Sequence, residues 1–228
     1  VLVSSAALVG ASLVGAAGAT AAPGDVGEIG LAAGSTPRDV AVGPDNNLWV
    51  TGGISNTIAK VTPAGQATAY VIPVPANVSD PWGIAAGPDG NMWFTFRNGG
   101  KLGRMTTAGA VSLIDLPDSA MRPQDIAAGP DGNMWFTELG GRIGRVTMTG
   151  VVTMFNVPWA NSQPHSIVEG PDGSSRMYFT DSGADRIALV LMDGTTFGSV
   201  QLTAASSPSG IANVDGSIWF SMSALNRL

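Results

Sequence analysis

The sequence predicts an all-β fold, a β-propeller of four-stranded antiparallel blades, on three observations. First, Gly87-Pro88-Asp89-Gly90-Asn91-Met92-Trp93-Phe94-Thr95 returns almost letter for letter as Gly129-Pro130-Asp131-Gly132-Asn133-Met134-Trp135-Phe136-Thr137. Second, weaker copies place the repeated aspartate at Asp45, Asp89, Asp131, Asp172 and Asp215, a period of 41 to 44 residues, which is the length of one propeller blade. Third, the chain holds 31 Gly and 15 Pro but only 12% charged residues, which suits a turn-dense β protein with a neutral polar surface.

The repeat runs from about Pro37 to the last residue and leaves no room for a domain boundary, so residues 23–228 are read as one propeller domain. A hydrophobic content of 44% excludes a disordered chain. The net charge of −6 argues against a phosphate-binding surface, as does the return of seven of the eleven basic residues at fixed repeat positions: Lys60, Lys101, Arg104, Arg142, Arg145, Arg186 and Arg227. Nucleic acid is therefore not an expected partner. With no Cys there is neither a disulfide framework nor a thiolate site.

Residues 1–22 carry no charge and end in Ala19-Thr20-Ala21, a small-x-small pattern, so they read as a signal peptide that is cleaved. The expected location is secreted or cell-surface, with no stable membrane insertion after cleavage. A membrane anchor is the alternative reading, since the stretch approaches the ~20 apolar residues that a span needs.

Each element of the blade follows from the second copy. Pro81 to Ala86 is a short apolar run before Gly87-Pro88-Asp89-Gly90, where Pro presets φ and Gly supplies a positive one, giving a first strand and its turn. Met92 to Phe96 is apolar on both faces, as a strand held between neighbouring blades should be. Lys101 to Thr106 forms the third strand and Val111 to Leu116 the outer one. Of the six tryptophans, Trp49, Trp93, Trp135 and Trp219 occupy one repeat position and are expected in interblade packing.

The ends do not make whole blades. Val26 to Leu31 looks like an outer strand without a blade, and the last copy, starting at Pro208, stops inside its third strand. The two halves are expected to pair as one split blade, which would remove an exposed sheet edge, or the N-terminal stretch is expected to lie unpaired if intervening blades are missing. Five blade repeats are visible. Because five make a tight ring, the chain is read as part of a six- or seven-bladed ring, with its last blade truncated.

Function is sought where the repeat is broken. Residues following the repeated Pro (Arg38, Trp82, Gln124, His165 and Ser209) and residues closing the second strand (Gly52, Phe96, Glu138, Asp181 and Met222) fall at one rim, opposite the Gly-Pro-Asp-Gly turns. Gln124, Glu138, His165 and Asp181 cluster in two consecutive blades, and His165 is the only histidine.

The unit Pro-x-x-Ile-Ala-Ala-Gly-Pro-Asp-Gly-Asn-Met-Trp-Phe-Thr-Glu, followed by Gly141-Arg142-Ile143-Gly144-Arg145-Val146, resembles the repeat of the virginiamycin B lyases, or streptogramin lyases. The resemblance covers Pro37 to Leu228. It implies a seven-bladed bacterial propeller of antibiotic resistance that linearises cyclic streptogramin B by elimination across the ester, with Mg²⁺ held by carboxylates. Under it, His165 matches the catalytic base, and Gln124 stands where a substrate-contacting histidine is expected. Asp181 and Glu138 are the candidate metal ligands. Gln163 replaces the carboxylate expected before Pro164-His165, and a further copy follows the histidine blade, both departures from the family pattern.

Removing a proton α to a carbonyl needs a base of near-neutral pKa, which imidazole supplies, and a cation for the developing enolate. The expected partner is a small-molecule ligand at the mouth of a monomeric propeller. Trp82 and Trp159 break the repeat and are candidate substrate-binding platforms. A structural propeller, or one that binds a ligand or carbohydrate on those rings without catalysis, is the competing class.

Overall fold

The computed structural model of the chain describes residues 28–31, 33–171 and 173–228. Four complete antiparallel blades follow one another: β1 (Pro37–Val42) to β4 (Ala67–Val71) through β2 (Leu48–Gly52) and β3 (Thr57–Val61); β5 (Ser79–Ala86), β6 (Met92–Asn98), β7 (Lys101–Met105) and β8 (Val111–Asp115); β9 (Pro123–Ala128), β10 (Met134–Glu138), β11 (Arg142–Val146) and β12 (Val152–Asn156); β13 (Pro164–Glu169), β14 (Arg176–Asp181), β15 (Arg186–Leu191) and β16 (Phe197–Gln201). The fifth copy is a hairpin of β17 (Pro208–Val214) and β18 (Ser217–Met222). Among the described residues the helical turns are the three-residue Gly53–Ser55 and Ser223–Leu225, and no helix is long and apolar enough to cross a membrane.

The repeated turn is chemically over-determined. In the second blade the Asp89 carboxylate accepts from the Asn91 backbone N–H at 3.1 Å and from Trp93 Nε1 at 3.0 Å, and its other oxygen pairs with Arg104 at 2.6 Å. Asp45 serves Trp49 and Lys60 in the same way, at 3.0 and 2.8 Å. Burial raises the Asp45 pKa, but hydrogen bonds from Lys60, Trp49 and Asn47 outweigh it and hold the carboxyl well below its usual range. The recurring bases thus neutralise the recurring acids, and Lys60, Arg104 and Arg145 also lie 5.3, 5.5 and 5.6 Å from the tryptophan ring centroids of their own blades. Gly90 and Gly132 adopt φ of 75° and 73°, and Asn46 takes the same left-handed place at 58°. Gly87 and Gly129 are glycine for another reason: a Cβ there would overlap the indole of Trp93 or Trp135.

The core lies between blades. Trp49 packs with Met92 and Phe94, Trp93 with Met134 and Phe136, and Trp135 with Met177 and Phe179, each cluster joining one second strand to the next. All three tryptophans are 0% exposed, whereas Trp219, on β18, is 55% exposed and joins none of these clusters. The expectation that Trp219 is buried with its equivalents is corrected accordingly.

Inner strands are joined by a hydroxyl latch. Thr51, Thr95, Thr137 and Thr180 each accept from an N–H of their own blade's first strand, at Asp39, Gly83, Asp125 and Ser166, all at 3.0 Å. Each then donates to a carbonyl of the next blade, at Trp82, Gln124, His165 and Ser209, over 2.6 to 2.8 Å. In the last copy Ser221 accepts from Gly210 N–H, but its hydroxyl partner is Ser209 of its own hairpin. A cavity of about 810 Å³ lies there, lined by Pro37 to Val40 on one side and by β17 and β18 on the other.

The split blade is not formed among the described residues. Residues 28–31 have no strand partner, and Ile29, 46% exposed, is the side chain nearest Gly65 in the first blade's β3–β4 turn. An outer strand pairs with a third strand, and the last copy offers only two, while the first blade already has β4. Val26, the proposed signal segment 1–22 and Asp172 lie outside the described residues.

Candidate functional site at the propeller mouth

Strand register places the mouth residues together. Pro37, Pro81, Pro123, Pro164 and Pro208 oppose Gly52, Phe96, Glu138, Asp181 and Met222, one pair per copy. In each inner strand the register shifts just after the proline, between Pro81 and Ile84 for example. This irregularity interrupts the alternation of faces at Arg38, Trp82, Gln124, His165 and Ser209, freeing those side chains from the blade core.

His165, on β13, is half-buried at this mouth, and its Nδ1 is buried without a hydrogen-bond partner. Burial lowers the imidazole pKa below its ordinary 6.5; the Ser209 backbone opposes the shift and the Arg97 charge reinforces it. The imidazole is therefore neutral near pH 7, the state a general base requires.

The other expected residues divide differently. Gln124 is 1% exposed and donates from Nε2 to the carbonyls of Arg122 and Pro123, both at 3.2 Å, so its amide is spent on its own strand. Glu138 accepts from the Arg122 N–H and from Arg142 Nε, both at 3.1 Å. Asp181, fully buried, accepts from Trp159 Nε1 at 2.7 Å, Ser162 Oγ at 2.6 Å, Gln163 N at 2.7 Å and Ala184 N at 3.2 Å. The two carboxylates play equivalent parts, since each satisfies the N–H of the residue before its blade's leading proline. Trp159, half-buried, donates to Asp181 and packs against Phe179 and Phe197 at centroid distances of 6.4 and 6.2 Å. Trp82 does sit at the mouth, where the guanidinium carbons of Arg97 and Arg38 lie 4.4 and 4.6 Å from its ring centroid.

A magnesium ion asks for several oxygen ligands in near-octahedral array. Asp181 has all four acceptor positions taken, Glu138 is buried in an ion pair, and among the described residues no three His, Cys, Asp or Glu groups come together to hold a metal. Among the described residues the donor set does not fit the ion.

Three groups at the axis gave no sequence signal of their own. Arg97 follows Phe96 and reads as a turn residue. Asp39 and Asp125 stand inside apolar first strands, where the equivalent positions are Gly83, Ser166 and Gly210; each staples its own strand to the next blade, accepting from Val40 and Ile84, or from Ile126 and Ile167, at 2.8 and 2.9 Å. Burial, and then repulsion from Asp39, pushes the Asp125 carboxyl up to about 7.

A family model described as the virginiamycin B lyase family matches residues 12–175. The chain belongs to the virginiamycin B lyase family. Among solved structures, a streptogramin B lyase is 33% identical with a TM-score of 0.76, over 83% of this chain and 63% of that one. Virginiamycin B lyase from Staphylococcus aureus is 30% identical with a TM-score of 0.82, over 89% of this chain and 68% of its own. A catalytically inactive histidine-to-alanine variant of the latter enzyme, with quinupristin, is 28% identical with a TM-score of 0.77, over 83% and 64%. The chain thus spans less than two thirds of the length of the first of these lyases. No curated protein matches it.

Proposed function

We propose that this member of the virginiamycin B lyase family opens a cyclic depsipeptide of the streptogramin B type by β-elimination, with His165 as the base. The observation that carries the reading is a neutral, half-buried imidazole with an unpartnered nitrogen at the mouth. The imidazole takes the proton α to the carbonyl of the residue whose side-chain oxygen closes the ring. Those electrons form the Cα=Cβ bond, the Cβ–O bond breaks, and the ester oxygen departs with its electron pair as a carboxylate. No water is consumed, so the open product has the mass of the ring.

Incubating the full-length protein with a streptogramin B, with and without Mg²⁺, tests this. The expected product keeps its mass and gains an α,β-unsaturated chromophore, and His165→Ala slows its formation at least about a hundredfold. A gain of one water, an untouched ring, or an unaffected variant overturns the reading. The commitment of Glu138 and Asp181 to loop N–H groups favours a second one, a propeller that binds such a ligand without cleaving it. Saturable binding of the ring without turnover would select it.

A further inference from the structure

We propose that Arg97, laid against the Trp82 indole, forms a carboxylate-binding subsite on the rim of the propeller mouth that also carries His165. Trp82, half-buried, follows Pro81 on β5, Arg38 holds the equivalent place one blade earlier, and Arg97 follows the residue paired with Pro81. Both guanidinium groups contact one indole, at 4.4 and 4.6 Å from its centroid. Gly53 makes this possible, because a Cβ there would stand 2.6 Å from Arg38 Nε and 2.8 Å from Asp80 Oδ1.

The charges do not cancel locally. Arg38 has Asp80 at 3.5 Å, but Arg97 forms no ion pair among the described residues, although Lys60, Lys101, Arg104, Arg142 and Arg145 all do. Nε of Arg97 and Nδ1 of His165 are buried without a hydrogen-bond partner, two nitrogens contributed by two blades, whereas Nε of Arg38 has Asp80 Oδ1 at 3.5 Å. A buried charged donor left unmade is costly, so such a group invites an external acceptor. The Arg97 charge also acts on the His165 imidazole and lowers its pKa. The carboxylates Asp39 and Asp125 are occupied with backbone N–H groups of β1, β5, β9 and β13 and supply no partner to Arg97.

The geometry selects the ligand. A guanidinium held flat on an aromatic ring presents a rigid edge of N–H donors, which matches the two coplanar oxygens of a carboxylate. Resting on the elimination proposed above, the subsite has a defined use: it receives the carboxylate that the breaking Cβ–O bond releases while His165 holds the proton.

His165 is the one histidine of the 228-residue sequence, so proton NMR of this chain reads the site through its imidazole signal without any turnover. Titration with N-acetylglycine is expected to move that signal saturably and to raise the imidazole pKa, because a bound anion favours imidazolium. Arg97→Gln should weaken binding at least tenfold, Arg97→Lys should recover only part of it because the planar fork is lost, and Arg122→Gln, at an exposed position away from the indole, should change nothing. Unaltered circular dichroism of the Arg97 variants confirms their fold, and Arg97→Lys decides the matter if Arg97→Gln does not fold. No saturable shift, equal binding by both Arg97 variants, or tighter binding of inorganic phosphate than of N-acetylglycine overturns the subsite. If N-acetylglycine binds as described but streptogramin B is left intact, the lyase reading fails and the subsite stands. Turnover with kcat unchanged in Arg97→Gln removes the leaving-group role instead.

Discussion

Replacing Asp181 by alanine strips four donors, one buried and three part-buried, of their acceptor at once. Each unmade buried hydrogen bond costs ~1–3 kcal/mol, so Asp181→Ala should lower the unfolding free energy by at least about 3 kcal/mol in a urea titration. Because the carboxylate is engaged by Trp159, Ser162, Gln163 and Ala184, that loss should be the same with and without Mg²⁺. A magnesium-dependent rise in stability, abolished by the substitution, would instead mark Asp181 as a ligand. For His165 the lowered pKa makes a kinetic statement: the acid limb of kcat/KM for ring opening should fall at a pH below 6.5, where the imidazole finally protonates. A limb at or above 6.5 would contradict the burial of the imidazole and the effect of the Arg97 charge. His165 was legible in the sequence as the one histidine on a repeat-breaking position. The duty of Asp181 was not, because its partners are an indole and three loop residues whose approach depends on how the chain enters the blade.

At the scale of the element, the threonine latch should be measurable by isosteric exchange. Thr95→Val keeps the volume but leaves Gly83 N–H and the Gln124 carbonyl unpaired in a buried site. A loss of ~1–3 kcal/mol is expected, together with faster hydrogen exchange at Gly83, and Thr95→Ser should restore both. Unchanged exchange would mean that the blades are held by side-chain packing alone. The first strand, its turn and the second strand were readable because the Gly-Pro-Asp-Gly turn and the alternating apolar run each have their own local cause. The latch was readable only as a repeated threonine, since its second bond crosses to a blade about thirty residues away. The partner of the N-terminal stretch was undecided for a comparable reason: its composition is that of a strand, but composition does not say which strand it meets, and the described residues 28–31 are unpaired, the second of the two expected outcomes.

The whole molecule titrates through two opposed groups. Asp125 is raised above the unfolded value of 3.8 to about 7, so its contribution is complete below 3.8 and is lost as the pH climbs through 7. Asp39 shifts in the same direction, and burial is again the first cause. His165 is lowered from 6.5, so its contribution is present above 6.5 and is lost as the pH falls below it. The thermal midpoint of His165→Ala should therefore rise steadily as the pH is lowered from 8 to 5, and adding Asp125→Asn should flatten that slope. A flat profile in the single variant would show that the axial carboxylates ionise freely. The period of the repeat was enough to anticipate one ring of antiparallel blades, but the axial pair lay hidden because Asp39 and Asp125 acquire their meaning only when alternate blades converge.

The four junctions between described blades share a hydroxyl-to-carbonyl bond, and three of them also share an indole packed on a methionine and a phenylalanine. A unit therefore meets an equivalent neighbour wherever it is inserted, and chain length can change in whole units without any new contact having to be invented. Excising residues 89–130, which joins Pro88 to Asp131 and restores an unbroken Gly-Pro-Asp-Gly turn, should leave a chain that still folds as antiparallel blades. Removing as many residues out of phase, from the middle of one strand to the middle of the next copy's turn, should not. By that rule such a lineage can lengthen or shorten by duplication and loss of single cassettes, and only the unrepeated side chains at the rim record which cassette came from where.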